Sequence, residues 1–178
     1  MGQLTMSSID IANQFIRRHG SAIGLTNLKL NKLVYYAQVE SIRRRDRALF
    51  DGRIEAWQYG PVEPDVYHEF KSFGSCEIAR PSGRGQGGRM PGYVASIVDD
   101  VAETYGSLSA FDLVELSHRP GGAWSNAYDS RRDNAITVED IRASEDMAGF
   151  DGVGLTLAGA IDSAMESMPN ALRLLGNS

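Results

Sequence analysis

The 178-residue chain carries a formal charge of −5 with 42% hydrophobic and 23% charged residues, a globular balance that excludes wholesale disorder. Its length suits one domain with its own core. A single cysteine, Cys76, excludes an internal disulfide, and no apolar run approaches the ~20 residues that span a bilayer. Because the first residues lack the basic start and apolar run of a signal peptide, we expect a cytoplasmic protein without membrane partners.

Hydrophobic periodicity predicts a mainly α, single compact helical domain with room for one small β-hairpin near residues 50–59. Ser7 or Ser8 is expected to cap the first helix and Gly20 to end it. Ser109 and Thr137 each precede an acidic residue by three positions, the pattern of a capping box. The predicted helices span residues 8–19, 27–47, 64–73, 93–105, 110–118, 138–146 and 155–168, with a short helical piece at 123–129.

Two glycine- and proline-containing segments are expected to interrupt these elements. Gly60-Pro61 should end the extended segment 54–59. Residues 80–92 contain five glycines and two prolines, which is typical of a surface loop. This loop lacks the Gly-Lys-Ser/Thr ending of a phosphate-binding loop, so we do not expect a phosphate site there.

Three sequence blocks resemble a known family. The first is LTNLKLNKLVYYAQ at residues 25–38, and the second is LFDGRIEAWQYGPVEPDVY at 49–67, continuing to Phe70-Lys71. The third is Leu116-Ser117-His118 followed by Trp124 and Tyr128. In this order and spacing, the blocks are similar to the Panacea domain, especially its SocA-like antitoxin type, over residues 5–145.

The resemblance implies a mainly helical antitoxin domain that binds and neutralises a toxin protein encoded beside it. For the SocA-like type it also implies a second partner, the ClpX unfoldase of the ClpXP protease, to which the toxin is delivered. Residues 146–178 are expected to form a C-terminal helical extension of the domain or a tail. The family-motif residues with an expected structural role are Leu30, Leu33, Trp57, Gly60, Pro61, Tyr67 and Trp124.

Side chains capable of catalysis or metal binding are few. The histidines are His19, His68 and His118. His68-Glu69 does not continue to the second histidine of a zinc helix, and we expect no metal and no cofactor. Cys76 with His68 or His118 would be a nucleophilic site only if the fold joined them, and Cys76 lacks a local activating signature. Asp99 and Asp100 are adjacent on a helix and should point to different sides. We therefore expect no enzymatic activity.

The arginines Arg43, Arg44, Arg45 and Arg47 form the strongest positive cluster, in a first third of the chain that has nine Lys/Arg against five Asp/Glu. Three interpretations stay open. The cluster is a solvated helix end, a contact for an acidic protein, or a phosphate contact of a DNA-binding transcriptional regulator. The remaining 118 residues carry nine Lys/Arg against eighteen Asp/Glu, which argues against general nucleic-acid binding.

The candidate partner contacts are side chains expected at the surface. An apolar stripe at Leu30, Leu33, Val34 and Ala37 should face the core, which leaves Lys29, Lys32 and Tyr36 on other faces. Aromatic residues are either interface anchors or core, and we favour the core for Trp57 and Tyr67. The predicted partner-binding set is Lys29, Lys32, Tyr36, Arg43, Arg44, Arg45 and Tyr59.

Overall fold

The structure is a computed structural model that describes residues 6–85, 90–132 and 134–150. Its helices are α1 (Ser8–Ile23), α2 (Asn27–Arg45), α3 (Pro64–Phe70), α4 (Gly92–Tyr105), α5 (Ala110–Ser117), α6 (Ala123–Ala127) and α7 (Val138–Arg142), with 3-10 turns at Lys71–Phe73 and Glu145–Ala148. The strands are β1 (Ile54–Trp57), β2 (Gly60–Val62) and β3 (Asn134–Ile136). The mainly α prediction is confirmed.

Helix α2 is the central element of the fold. It packs against α1, α3, α4, α5 and α7 and against strand β2. Leu30, Leu33 and Val34 are inaccessible in its apolar stripe, and most of the helix's other side chains are buried as well. A helix that is buried along most of its length has to find hydrogen-bond partners inside the protein for its buried polar residues, since unpaired buried polar groups are costly.

Local capping signals fix most helix starts. Ser7, Ser109 and Thr137 each accept a hydrogen bond from the backbone N–H three residues later, and the carboxylate of the acidic residue there accepts one from the backbone N–H of the cap. The predicted end of α1 at Gly20 is wrong. The helix continues to Ile23, which packs against the core, and ends at Gly24, where φ is 59°.

The sheet is antiparallel in the order β2-β1-β3. The hairpin pairs Trp57 with Gly60 and Glu55 with Val62, so the prediction that Gly60-Pro61 ends the extended structure is wrong. Proline is tolerated because β2 lies at the edge of the sheet, where a missing N–H removes no ladder bond. Strand β3, which pairs Ile136 with Ile54, was not predicted because three residues carry too little pattern.

Several predicted boundaries shift when packing is taken into account. The helix predicted at 64–73 is α3 followed by a 3-10 turn, and the one predicted at 138–146 is α7 followed by a second 3-10 turn. In the predicted surface loop, the Asn13 amide donates to the Ser82 and Arg84 carbonyls. Residues 86–89 of that loop, the helix predicted at 155–168 and the rest of the extension beyond 150 lie outside the described residues.

Candidate functional site

Hydrogen bonds join the three sequence blocks into one unit. The Lys32 ammonium donates to the Pro61 carbonyl at 3.0 Å, and the Asn31 amide oxygen accepts from the Glu63 N–H at 3.2 Å. These bonds connect the first block with the second. Trp124 from the third block donates its indole N–H to a carbonyl of the second, that of Trp57, at 2.8 Å. The three blocks are therefore joined through the hairpin, whose carbonyls accept hydrogen bonds from side chains of both α2 and α6.

The expected surface position of Lys29 is wrong. Its side chain is buried, and its ammonium donates to the Ile23 carbonyl at 2.5 Å and to the Gly106 carbonyl at 2.8 Å. These carbonyls stand at the C-terminal ends of α1 and α4, where a cation is favoured by the helix dipole. Burial lowers the pKa of Lys29. Lys29 thus ties two helix ends to α2.

The expected surface positions of Lys32 and Tyr36 are also wrong, because both lie on α2 faces covered by other elements. Lys32 is inaccessible, and burial lowers its pKa to about 7. The Tyr36 ring stacks on Tyr105 with centroids 4.4 Å apart, and burial raises its pKa well above the usual value. The Tyr36 hydroxyl makes no hydrogen bond within the described part of the chain. Both side chains therefore lie inside the fold and not on the surface of α2.

The arginine cluster is exposed, but acidic and aromatic neighbours engage it. Arg43 binds Glu40 at 2.8 Å, and Arg44 binds both Glu40 and Asp100, the latter at 2.6 Å. The Arg45 guanidinium lies 3.7 Å from the centre of the Tyr93 ring. Three guanidiniums of the cluster therefore already have partners within the protein, which leaves less of their charge available for phosphates.

The predicted divergence of Asp99 and Asp100 is confirmed: Asp99 binds Arg18 and His19 of α1, whereas Asp100 binds Arg44 of α2. Cys76 is exposed after the 3-10 turn at Lys71–Phe73.

The His118 ring packs flat on Trp124 with centroids 3.6 Å apart, and burial, with the nearby Lys32 charge, lowers the pKa of His118. In the described ranges, no three His, Cys, Asp or Glu side chains converge as metal ligands, and no helix is long and apolar enough to cross a membrane.

A surface groove opens where the hairpin meets the start of α2 and the end of α3. Its volume is about 570 Å³. Trp57 and Tyr67 stand edge to face at 5.0 Å in its lining, and both are half-buried, so the expectation that they belong to the core is only partly correct. Tyr59 lies in the β1–β2 turn with 57% of its surface exposed. The lining residues are Asn27, Leu28, Asn31, Trp57, Gln58, Tyr59, Val62, Tyr67, Lys71 and Gly74.

The family relationship suggested by the three sequence blocks is tested by comparison with known families. Residues 30–125 match the family described as "Antitoxin SocA-like, Panacea domain". The chain belongs to this SocA-like Panacea family. The matched region begins within α2 and includes the hairpin, α3, α4, α5 and the start of α6. The Panacea region of this chain therefore contains the hydrogen bonds from α2 and α6 to the hairpin.

One curated relative of this Panacea chain is the antitoxin SocA of Caulobacter vibrioides (strain NA1000 / CB15N), which is 32% identical over 113 residues. The similarity covers 57% of this chain and 59% of the relative, so the chain spans less than two thirds of that protein's length. No solved structure matches the chain.

Sequence reasoning found Tyr59 but missed Leu28, Val62 and Lys71 as groove residues. The sequence feature that could have pointed to Lys71 is the small number of lysines. The chain has three lysines, and two of them fall in the predicted helix 27–47. Helical periodicity did not reveal that those two are enclosed, so it did not single out Lys71 as the lysine that stays exposed.

Proposed function

We propose that this chain is an antitoxin that binds and neutralises a toxin protein encoded beside it. The observation that carries the proposal is membership of the SocA-like Panacea family over residues 30–125. An inhibitor that acts by binding needs a stable scaffold with an exposed surface that fits its partner. The enclosed helix α2 supplies the scaffold, and the groove beside the hairpin supplies a preformed concave surface.

A growth assay tests this proposal. The product of the adjacent open reading frame is induced alone and together with this chain in the same bacterial host. We expect growth arrest when the neighbour is expressed alone, relief when both are present, and co-elution of the two purified proteins. A frameshifted copy of this gene, which makes the RNA without the protein, is the control. Arrest that persists with both proteins present, or no complex between them, would contradict the proposal.

Neutralisation is expected to be stoichiometric and not catalytic. When a fixed amount of purified toxin is titrated with this chain, its activity should fall in proportion to the chain added and vanish at a fixed molar ratio. An enzyme that modifies the toxin would act far below equivalence and would leave a changed toxin mass. Toxin activity and intact mass, measured on the same samples, separate the two mechanisms.

We further propose that the chain delivers the toxin to the ClpXP protease. An adaptor has one surface for its cargo and another for the unfoldase, and joining them raises the local concentration of a weakly bound substrate. With purified ClpXP and ATP, the chain should speed the loss of toxin while its own amount stays constant. Protection of the toxin from degradation would instead identify a passive inhibitor.

The alternative function, a DNA-binding transcriptional regulator, depends on the cluster Arg43, Arg44, Arg45 and Arg47. It predicts affinity for its operator that falls steeply with salt and is lost in the triple variant Arg43→Ala, Arg44→Ala and Arg45→Ala. The ion pairs of Arg43 and Arg44 with Glu40 and Asp100 do not favour this alternative. Unchanged operator occupancy in the triple variant would eliminate it.

A further inference from the structure

We propose that the groove formed by Leu28, Trp57, Tyr59, Tyr67 and Lys71 binds an acidic segment of the partner protein that carries an apolar side chain next to a carboxylate. The apolar side chain enters the groove between the aromatic rings, and the carboxylate pairs with the Lys71 ammonium. This inference rests on the proposed function, because the partner is the toxin that the chain is proposed to bind.

The apolar part of the groove is preorganised. The Trp57 and Tyr67 rings hold each other edge to face, and the Trp57 indole N–H donates to the Glu55 carboxylate at 2.8 Å. The Asn27 amide on α2 donates to the Tyr67 carbonyl at 3.2 Å. These contacts fix the ring positions before a ligand arrives. Little conformational entropy is then lost on binding, which favours affinity.

Tyr59 provides an exposed aromatic side chain at the edge of this preformed surface. Tyrosine is enriched among the residues that contribute most to protein–protein affinity. In the described ranges, the other exposed large hydrophobic side chains are Tyr93 and Phe111. The Arg45 guanidinium covers the Tyr93 ring, and Phe111 is not part of the groove lining. Tyr59 therefore combines exposure with a neighbouring cavity.

The charge of the groove indicates the chemistry of its ligand. Among the described residues that line it, Lys71 is the charged one, and the other polar side-chain groups are amides, tyrosine hydroxyls and the Trp57 indole N–H. Lys71 is exposed, and no carboxylate of the described residues forms an ion pair with it. A cation beside an apolar cavity favours a segment that combines an apolar side chain with a carboxylate.

The size of the groove limits how much of the partner enters it. Its volume of about 570 Å³ lies within the ~300–1,000 Å³ range of ligand pockets, and it therefore accepts a few side chains of a short segment. A stable protein complex buries about 1,200–2,000 Å² of surface, which is more than a few side chains in one groove can cover. The groove therefore anchors one segment within a wider contact.

The three lysines allow a specific chemical test of this arrangement. Lys29 and Lys32 are buried, whereas Lys71 is exposed, so an amine reagent that leaves the fold intact should modify Lys71 and not the other two. A carbodiimide joins an amine to a carboxylate that touches it. In the complex of the full chain with the product of the adjacent open reading frame, it should link Lys71 to an Asp or Glu of the partner. Lys71→Arg should bind with unchanged affinity but lose this cross-link, because a guanidinium does not form the amide.

Affinity measurements on the same complex complete the test. We expect Tyr59→Ser to weaken binding about 30-fold and Lys71→Glu about tenfold, as for an aromatic anchor and a close charge pair. Phe111→Ser removes an aromatic side chain that is 71% exposed and lies outside the groove lining. This matched control should change affinity less than about twofold, as expected for a side chain outside the binding site. Thermal unfolding of each variant checks that the fold is intact.

The outcomes separate this inference from the proposed function. If the wild-type chain does not bind the neighbouring protein, both fail. If it binds, but folded Tyr59→Ser and Lys71→Glu variants bind with wild-type affinity, the groove is refuted and the antitoxin function stands. If Tyr59→Ser weakens binding while Lys71→Glu does not, or if the cross-link forms elsewhere, the acidic character of the segment is refuted.

Discussion

Lys32 is expected to make the stability of the protein depend on pH. Its side chain is inaccessible and donates to the Pro61 carbonyl, burial lowers its pKa from 10.5 to about 7, and no carboxylate among the described residues pairs with it. Between these values the unfolded chain holds a proton that the folded protein has released. The free energy of unfolding therefore rises as the pH increases through this window, and the cost of burying the charge is fully present below pH 7.

The size of this effect follows from proton linkage. Where the folded protein has fully released the Lys32 proton, the free energy of unfolding rises by about 1.4 kcal/mol per pH unit. Because Lys32 is only half deprotonated at pH 7, the rise between pH 7 and pH 9 is about 2 kcal/mol. Lys29, whose pKa is also lowered from 10.5, adds a gain of the same sign, whereas two neighbouring groups act outside this range. The lowered pKa of His118 acts below its usual value of 6.5, and the raised pKa of Tyr36 acts above 10.

Replacing Lys32 by Met tests the reasoning. Urea unfolding of the wild type, Lys32→Met and Lys71→Met is followed by circular dichroism at pH 7, 8 and 9. The contribution of Lys32, about 2 kcal/mol over this range, should be present in the wild type and in the exposed control Lys71→Met, whereas Lys32→Met should keep only the smaller gain that comes from the lowered pKa of Lys29. At pH 7 Lys32→Met should be more stable than the wild type by about 1–3 kcal/mol. The substitution removes the cost of burying the Lys32 charge, and the loss of the hydrogen bond to Pro61 offsets part of this gain. A Lys32→Met variant with the wild-type slope would refute the argument.

Three further substitutions probe the contacts that hold the fold, each by urea unfolding at pH 7. Lys29→Met leaves two carbonyls at helix ends without their donor and should cost about 3 kcal/mol; an unchanged stability would show that water replaces the ammonium. Gly60→Ala should cost about 3 kcal/mol, because φ is 99° and a Cβ would lie 2.6 Å from the Ser117 hydroxyl; Gly83→Ala, with nothing within 4 Å, is the neutral control. Trp124→Phe keeps a ring but removes the donor to a β1 carbonyl, with an expected loss of about 2 kcal/mol.

The helices were largely predictable because their signals are local. A cap and the residue three positions later lie within one turn, so Ser109 with Asp112 and Thr137 with Asp140 predict helix starts whatever packs around them. Helix ends were less certain. The end of α1 moved from Gly20 to Gly24 because more than one glycine was present, and packing of Ile23 decided which one takes the left-handed conformation.

The candidate site was predictable only in part. Tyr59 was found because tyrosine is enriched among the residues that anchor interfaces, and the core was favoured only for Trp57 and Tyr67. Lys71 was missed because its significance depends on what surrounds it, namely the hairpin rings and the absence of an acidic partner in the described ranges. The predicted contribution of Lys29 and Lys32 to a binding surface was wrong, because periodicity assumes one buried stripe for each helix.

The sequence alone determined where helices form and which family the blocks resemble, because capping, periodicity and motif order are properties of neighbouring residues. Only the tertiary structure decided that α2 is buried along most of its length, that β2 lies at an edge where Pro61 is tolerated, and that distant β3 completes the sheet. Packing also decided which lysines are buried and which one is exposed. Two ammonium groups are buried because backbone carbonyls from other elements meet them, and the third stays exposed beside the aromatic groove.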